Sequence, residues 1–209
     1  AINHRINYVS KWNTNAYRMI YAESDGLPGI IADRYEDIIV LQYLTAGAEY
    51  WREVIADHLM TIKGIKCIYE RSDAEVRNLE GLPKRCGVLR GDTPKSIQMI
   101  FEGKLKYWVN ILEGQKTGFY LDQRSNRLFI SELSEGKKVL DCFCYTGGFS
   151  LAALLGGAKQ VCAIDSSADS LKIAQENVLL NGFEKTRIGF EEKNVFYFLR
   201  ELRDRGERY

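Results

Sequence analysis

Two aspartates, Asp141 and Asp165, each end an apolar run, and a glycine-bearing turn follows the first of them. Carboxylates in such places can accept hydrogen bonds from hydroxyls or pair with a cation. The turn between them, Tyr145-Thr146-Gly147-Gly148, adds one hydroxyl, one phenol and two residues without a side chain. The chemistry on offer is therefore the holding of a small polar ligand with a positive centre and a diol. The surrounding pattern supplies a scaffold for it. Lys138 to Asp141 reads as a short strand, Phe149 to Leu155 as an apolar helix that Gly156 and Gly157 stop, and Gln160 to Ile164 as a second strand. Ser166-Ser167 then starts another helix. In open α/β sheets ligands sit outside the carboxyl ends of the strands, so Asp141 and Asp165 face one crevice in this reading.

A dinucleotide fold requires Gly-x-Gly-x-x-Gly, so that backbone amides can approach a pyrophosphate. Here Gly147 and Gly148 are adjacent, and no third glycine precedes Gly156. S-adenosylmethionine lacks phosphate but has an ammonium group and a ribose diol, and both suit carboxylates. Asp165 lies 18 residues beyond Gly147, close to the spacing of about 20 expected for a ribose-binding acid. The alternative reading is a βαβ unit whose acids merely cap helices. The missing phosphate fingerprint favours the methyl donor and weighs against a dehydrogenase.

The stretch Asp141-Cys-Phe-Cys-Tyr-Thr-Gly-Gly-Phe-Ser150 resembles the first motif of class I S-adenosylmethionine-dependent methyltransferases. Together with Gly114-Gln-Lys-Thr-Gly-Phe-Tyr-Leu-Asp-Gln-Arg124 and Arg71-Ser-Asp-x-x-Val-Arg-x-x-Glu-Gly-Leu82, it resembles one family among them. That family is the bacterial and archaeal large-subunit ribosomal RNA cytosine-5 methyltransferases, and the likeness runs from about Tyr17 to Tyr209. The resemblance implies S-adenosylmethionine as cofactor and ribosomal RNA as partner. It implies that Asp141, Phe143, Tyr145, Thr146, Gly147, Gly148, Asp165 and Ser166 contact the cofactor. It also implies that the 114–124 loop and helix start lie over the methionine end, with Lys116, Tyr120, Gln123 and Arg124 as contacts. Arg124 can grip a carboxylate as a bidentate fork, or it can be a structural arginine. Asn194 stands where the class places an acid that accepts from the adenine amino group; an amide oxygen can still accept.

By the same resemblance, the base-holding motif and the nucleophilic cysteine lie beyond Tyr209. The C5 carbon of cytosine is a poor nucleophile until a thiolate adds at C6. Cys142 and Cys144 sit in the cofactor turn, where they read as small packing residues. The expectation is thus a cofactor-binding half, catalytically silent by itself, with no catalytic residue and no metal assigned. An exposed sheet edge would make a second copy of the chain a candidate partner.

Bulk properties agree with this frame. The chain has 209 residues, 45% of them hydrophobic, and a net charge of +1. That length buries a core, and that charge offers no electrostatic case for nucleic acid. Five cysteines form no Cys-x-x-Cys pair, so neither a disulfide framework nor a zinc site is indicated, and a reducing cytoplasm is the simplest context. The longest uncharged run, Cys142 to Ala158, carries four glycines and reads as core, not a membrane span.

The fold expected is α/β: the first strands of a Rossmann-like methyltransferase sheet (113–209), preceded by a smaller α+β domain (1–112). Residues 1–16 read as a linker or irregular edge. Tyr17 to Ala22, Gly29 to Asp33 and Ile38 to Leu44 read as a three-strand meander, Ala48 to Ile62 as a helix, and Lys66 to Tyr69 as a strand. Ser72 or Asp73 reads as the cap of a short helix with Glu75 and Arg77 facing solvent; the alternative is that Arg71 and Arg77 hold RNA or order the inter-domain seam. Residues 82–95 read as a basic loop, and 96–101 with 105–111 as a hairpin. Leu121 to Leu133 reads as one helix with Asp122 at its start, followed by a helix over 168–181, a strand over 188–190 and a helix over 195–203.

Overall fold

A computed structural model of the chain describes Arg5, Val9 and residues 11–209. Its residues fall into two compact units, one made of 1–103 and 109–122, the other of 104–108 and 123–209. The units interleave in sequence, so no single cut at residue 112 separates them.

The first unit is built on a five-stranded sheet in the order β1-β2-β3-β4-β5. Its strands are Ala16–Tyr21, Ile30–Tyr35, Ile38–Tyr43, Cys67–Ser72 and Arg85–Gly91. The first three form the expected antiparallel meander. β4 then joins β3 in parallel, through a crossover containing two short helices, α1 (Ala46–Tyr50) and α2 (Arg52–Met60). The single helix expected over 48–62 is thus broken at Trp51, whose ψ of 8° ends the first helix. β3 is buried along its whole length, as its run Ile-Ile-Val-Leu-Gln-Tyr requires. Met19, Ile39, Leu41, Leu59 and Ile68 close the core beneath it.

Three expectations for this unit need correction. Residues 85–91, read as part of a loop, form the edge strand β5, paired antiparallel with β4. Ser72 and Asp73 cap nothing: Ser72 ends β4 and its Oγ accepts from the amide of Tyr43, while Asp73 pairs with Arg71. Arg77 does not face solvent. It is fully buried in a 3-10 turn over Glu75–Glu80 and donates to the carbonyls of Tyr43 and Pro83 and to Glu49. Of the segment 1–16, read as a linker or irregular edge, residues 1–4, 6–8 and 10 lie outside the described residues. Thr14 is tied to the unit by a bridge to Glu102.

Strands β6 (Ile97–Glu102) and β7 (Leu105–Asn110) form the expected hairpin. The second unit then carries α3 (Arg124–Leu133), entered from a 3-10 turn over Leu121–Gln123 in place of one continuous helix. There follow β8 (Lys138–Cys142), α4 (Gly148–Leu155), β9 (Gln160–Asp165), α5 (Ala168–Leu180), β10 (Ile188–Glu192) and α6 (Val195–Asp204). The three strands are parallel in the order β10-β9-β8, the Rossmann-like arrangement that the alternation of strand and helix predicts. α4 is apolar all round and buried accordingly. It packs so closely on α3 that a Cβ on Gly156 would lie 1.9 Å from the Ser131 carbonyl. Among the described residues no helix is long and apolar enough to cross a membrane.

Candidate S-adenosylmethionine site

The parallel registers Cys142↔Ile164 and Glu192↔Asp165 bring the carboxyl ends of β8, β9 and β10 to one edge of the sheet. Asp141 and Asp165 both lie there. Asp141 is 9% exposed, and its Oδ2 accepts from Ser150 Oγ at 2.6 Å. Burial, with a smaller push from the Asp165 charge, raises its pKa to about 6 against the Ser150 hydrogen bonds. Asp165 is 8% exposed. One of its oxygens accepts from the Tyr145 amide and the other from the Ser167 amide, both at 2.9 Å. A carboxylate has about four acceptor positions, so these two bonds leave Asp165 room for two ribose hydroxyls. The reading in which the acid only caps a helix describes one of its oxygens and not the other.

Between the acids the backbone is bent hard. Phe143, Tyr145 and Gly147 take φ of 60°, 51° and 81°. Left-handed backbone at two non-glycine residues in three is strain that local structure must hold in place. The holding bonds run from the Cys144 amide to the Ile164 carbonyl, from the Tyr145 amide to Asp165, and from the Gly147 amide to the Cys144 carbonyl. Three of the turn's amides are therefore spent inside the protein, which a phosphate cradle could not allow. Gly147 also lets α5 approach: a Cβ there would meet the Ala174 Cβ and Leu151 Cδ1 at 3.2 Å. Thr146 is buried, and its Oγ1 has no hydrogen-bond partner among the described residues. A buried hydroxyl without a partner costs about 1–3 kcal/mol, so a polar ligand atom or water at this point would relieve it.

The structure thus gathers Asp141, Tyr145, Thr146, Gly147, Gly148 and Asp165 around one turn. Exposed Ser166 follows directly after Asp165. Phe143 is 59% exposed beside Phe196, ring centroids 5.7 Å apart and edge-on. Asn194 departs from its expected role. It caps α6, its Oδ1 accepting from the amides of Phe196 and Tyr197. With that oxygen engaged twice, the side chain offers an adenine its NH2 group as a donor, not an acceptor. Gln123 and Arg124 stand at the start of α3, where Gln123 Oε1 accepts from Asn126 Nδ2 and Arg124 is buried. Lys116 and Tyr120 belong to the first unit. There the Lys116 ammonium lies 4.6 Å from the Tyr120 ring centre, and the Tyr120 hydroxyl donates to Gln115 Oε1 at 2.6 Å.

The five cysteines are free thiols. Burial, then the charges of Asp141 and Asp165, push the Cys144 thiol far above the ordinary range, and burial raises Cys142 as well. Neither thiol is poised to become a nucleophilic thiolate. Packing is their role here.

Two residues that sequence reasoning passed over hold the turn from behind. Asn177, fully buried on α5, donates from Nδ2 to the Thr146 carbonyl at 3.0 Å and accepts the Trp108 amide on Oδ1 at 2.6 Å. Asn181, one helical turn on, accepts the Lys106 amide and donates to the Lys106 carbonyl. Four helical residues rise about 6.0 Å and two strand residues about 6.6 Å. The pair therefore matches alternate residues of β7 and serves as its hydrogen-bonding partner. The signal in the sequence was an asparagine beside apolar positions 174 and 178 on a helix.

Comparison with known proteins adds to the geometry. Residues 81–208, more than half the chain, match a family described as S-adenosylmethionine-dependent methyltransferase. A curated relative, ribosomal RNA large subunit methyltransferase I of Aeromonas hydrophila, is 48% identical over 206 residues, covering 98% of this chain and 52% of that protein. Its counterpart in Shigella boydii serotype 18 is 43% identical over 213 residues, with 98% and 54% covered. The chain spans about half the length of the curated relatives it matches. Among solved structures, a Streptococcus mutans protein assigned to the SAM-dependent methyltransferases superposes with a TM-score of 0.85 at 24% identity, over 98% of this chain and 52% of its own. That likeness shows the fold. With that family matched over residues 81–208, the chain belongs to the S-adenosylmethionine-dependent methyltransferases.

Proposed function

We propose that this chain holds S-adenosylmethionine for methyl transfer to large-subunit ribosomal RNA, with 5-methylcytosine as the product. The observation that carries the cofactor reading is the pair of buried carboxylates, Asp141 and Asp165, flanking a strained turn whose Thr146 hydroxyl lacks a partner among the described residues. The RNA reading is supported by the curated relatives, which carry the name ribosomal RNA large subunit methyltransferase I.

When bound, the cofactor supplies an electrophilic methyl group on a sulfonium. Asp165 accepts the ribose hydroxyls, its orientation fixed by the Tyr145 and Ser167 amides. Asp141 gives up its proton near neutral pH and meets positive charge from a position that Ser150 fixes. Thr146 Oγ1 gains a partner. Gln123 and Arg124 act at the methionine end, and Ser166 beside the ribose. Phe143 and Phe196 give an apolar edge for the adenine, and Asn194 donates to a ring nitrogen from its amide. The first unit serves the RNA side.

The test incubates full-length protein with tritiated-methyl S-adenosylmethionine and large-subunit ribosomal RNA, followed by nucleoside analysis. Label on C5 of cytosine is expected. Label on another atom would overturn the position, and bound cofactor without any labelled RNA would overturn the transferase reading.

A further inference from the structure

The first unit carries a cavity of its own, about 620 Å³, which the cofactor reading does not use in full. Pockets that take small organic ligands run from about 300 to 1,000 Å³. Its lining includes Arg18, Tyr21, Gln42, Asp73, Lys84 and Lys116. Acids and bases line it in equal number, four of each, so it is not a plain anion site. A ligand here should carry donors and acceptors as well as negative charge.

The lining residues divide by what they are already doing. Arg71 is spent on Asp73 and on the carbonyls of Ile111 and Gly114. Arg18 grips fully buried Asp33 with two hydrogen bonds of 2.8 and 2.9 Å, and its guanidinium lies 5.0 Å over the Tyr21 ring. That arrangement fixes the ring while leaving Tyr21 48% exposed. Lys84 and Lys116 are exposed and in no ion pair among the described residues. Gln42 is 7% exposed; its Nε2 donates to the Arg71 carbonyl, and its Oε1 meets no donor among the described residues. That oxygen is not one of the fully buried unpaired atoms, so it faces the cavity's solvent and is open to a donor from a ligand.

The rim is held as firmly as the wall. Lys116 has φ 55°, a left-handed value that costs about 1–3 kcal/mol for a residue with a side chain. Its neighbours enforce this. Thr117 Oγ1 donates to Asp33 at 2.6 Å, the Phe119 amide donates to the Tyr35 hydroxyl, and Arg71 holds Gly114. Such strain, over-determined by buried bonds, presents Lys116 at the pocket in one orientation.

We propose that this cavity takes one unpaired nucleotide of the RNA substrate. The base stacks on Tyr21, an exocyclic amine donates to Gln42 Oε1, and the flanking phosphates meet Lys84 and Lys116. A flat ring with donors on its edge, joined to phosphate, satisfies the aromatic face, the spare acceptor and the two unpaired ammonium groups together. Single-stranded RNA is recognised in this way, by stacking and edge hydrogen bonds with cations along the backbone. The inference rests on the reading that the chain acts on RNA.

The test measures fluorescence anisotropy of a labelled 16-nucleotide single-stranded RNA with wild type, Tyr21→Ala, Tyr21→Phe and Lys84→Ala. Cofactor affinity and circular dichroism serve as controls for each protein. Tyr21→Ala should weaken RNA binding at least about fivefold and Tyr21→Phe should not, because the stacking face does the work. Lys84→Ala should flatten the slope of log affinity against log salt by about 0.7, the value of one single-strand phosphate contact. Calorimetry should find S-adenosylmethionine affinity unchanged in all three. Wild-type RNA affinity and salt slope retained in folded Tyr21→Ala and Lys84→Ala would overturn the pocket while leaving the RNA reading intact. Wild-type protein that binds the cofactor and no RNA would overturn both. If Tyr21→Ala fails to fold, the Lys84→Ala slope decides alone.

Discussion

Replacing Asp141 by Asn removes a charge that its position makes costly. The carboxyl is almost fully buried, and the folded chain holds its proton up to about pH 6, against an ordinary value of 3.8. Below about pH 3 the group is protonated in both folded and unfolded chains and contributes no difference. Between pH 4 and 6 the unfolded chain loses its proton first, so stability from this group falls as pH rises. Above pH 6 the whole penalty is present. A shift of about two pKa units at about 1.36 kcal/mol each amounts to about 3 kcal/mol. Asparagine keeps an oxygen for the Ser150 hydroxyl, 2.6 Å away in the wild type, and buries no charge. Asp141→Asn should therefore be more stable at pH 7.5 by up to about 3 kcal/mol, a rise in Tm of about 6–12 °C for a chain of this size. At pH 3 the two proteins should melt together. Thermal melts followed by circular dichroism at the two pH values measure this, with calorimetry for S-adenosylmethionine affinity at pH 7.5, which should fall. A Tm gain of the same size at both pH values would show that charge burial is not its source. No gain at pH 7.5 would refute the burial argument altogether.

Three further outcomes follow from the same geometry. Asp165→Ala should weaken S-adenosylmethionine binding by about 1–3 kcal/mol, read by calorimetry with NAD as a control that shows no comparable binding; unchanged affinity in a folded variant would remove Asp165 from the site. Arg77→Ala leaves the carbonyls of Tyr43 and Pro83 without their fully buried donor while Glu49 keeps Arg85, and urea unfolding should show a loss of about 2–4 kcal/mol; a loss below about 1 kcal/mol would mean that the buried network is dispensable. Iodoacetamide at pH 8 should modify exposed Cys86 well before Cys144, whose thiol is pushed up by burial and then by the neighbouring carboxylates. Equal rates by mass spectrometry would reopen Cys144 as a reactive group.

The sequence by itself determined the parts whose chemistry is local. Asp141, the turn through Gly148 and Asp165 announce a ligand edge because strand, bend and acid must be neighbours in the chain to be neighbours in space. The parallel order β10-β9-β8 is legible for the same reason: strands joined by single helices have few ways to pack with the right hand. Tertiary structure decided whatever depends on partners far along the chain. β5 reads as a glycine-rich basic loop until β4 supplies its hydrogen bonds, across 24 residues in Cys67↔Gly91. Arg77 reads as a solvent-facing arginine until the Tyr43 carbonyl, 34 residues away, takes its guanidinium inside. Asn194 reads as an acceptor for adenine until the folded helix start takes up its oxygen. Asn177 and Asn181 pass for ordinary helix residues until β7, about 70 residues earlier in the chain, lies against them. A polar side chain's role is fixed by which donors and acceptors surround it, and periodicity alone cannot report partners brought together only by folding.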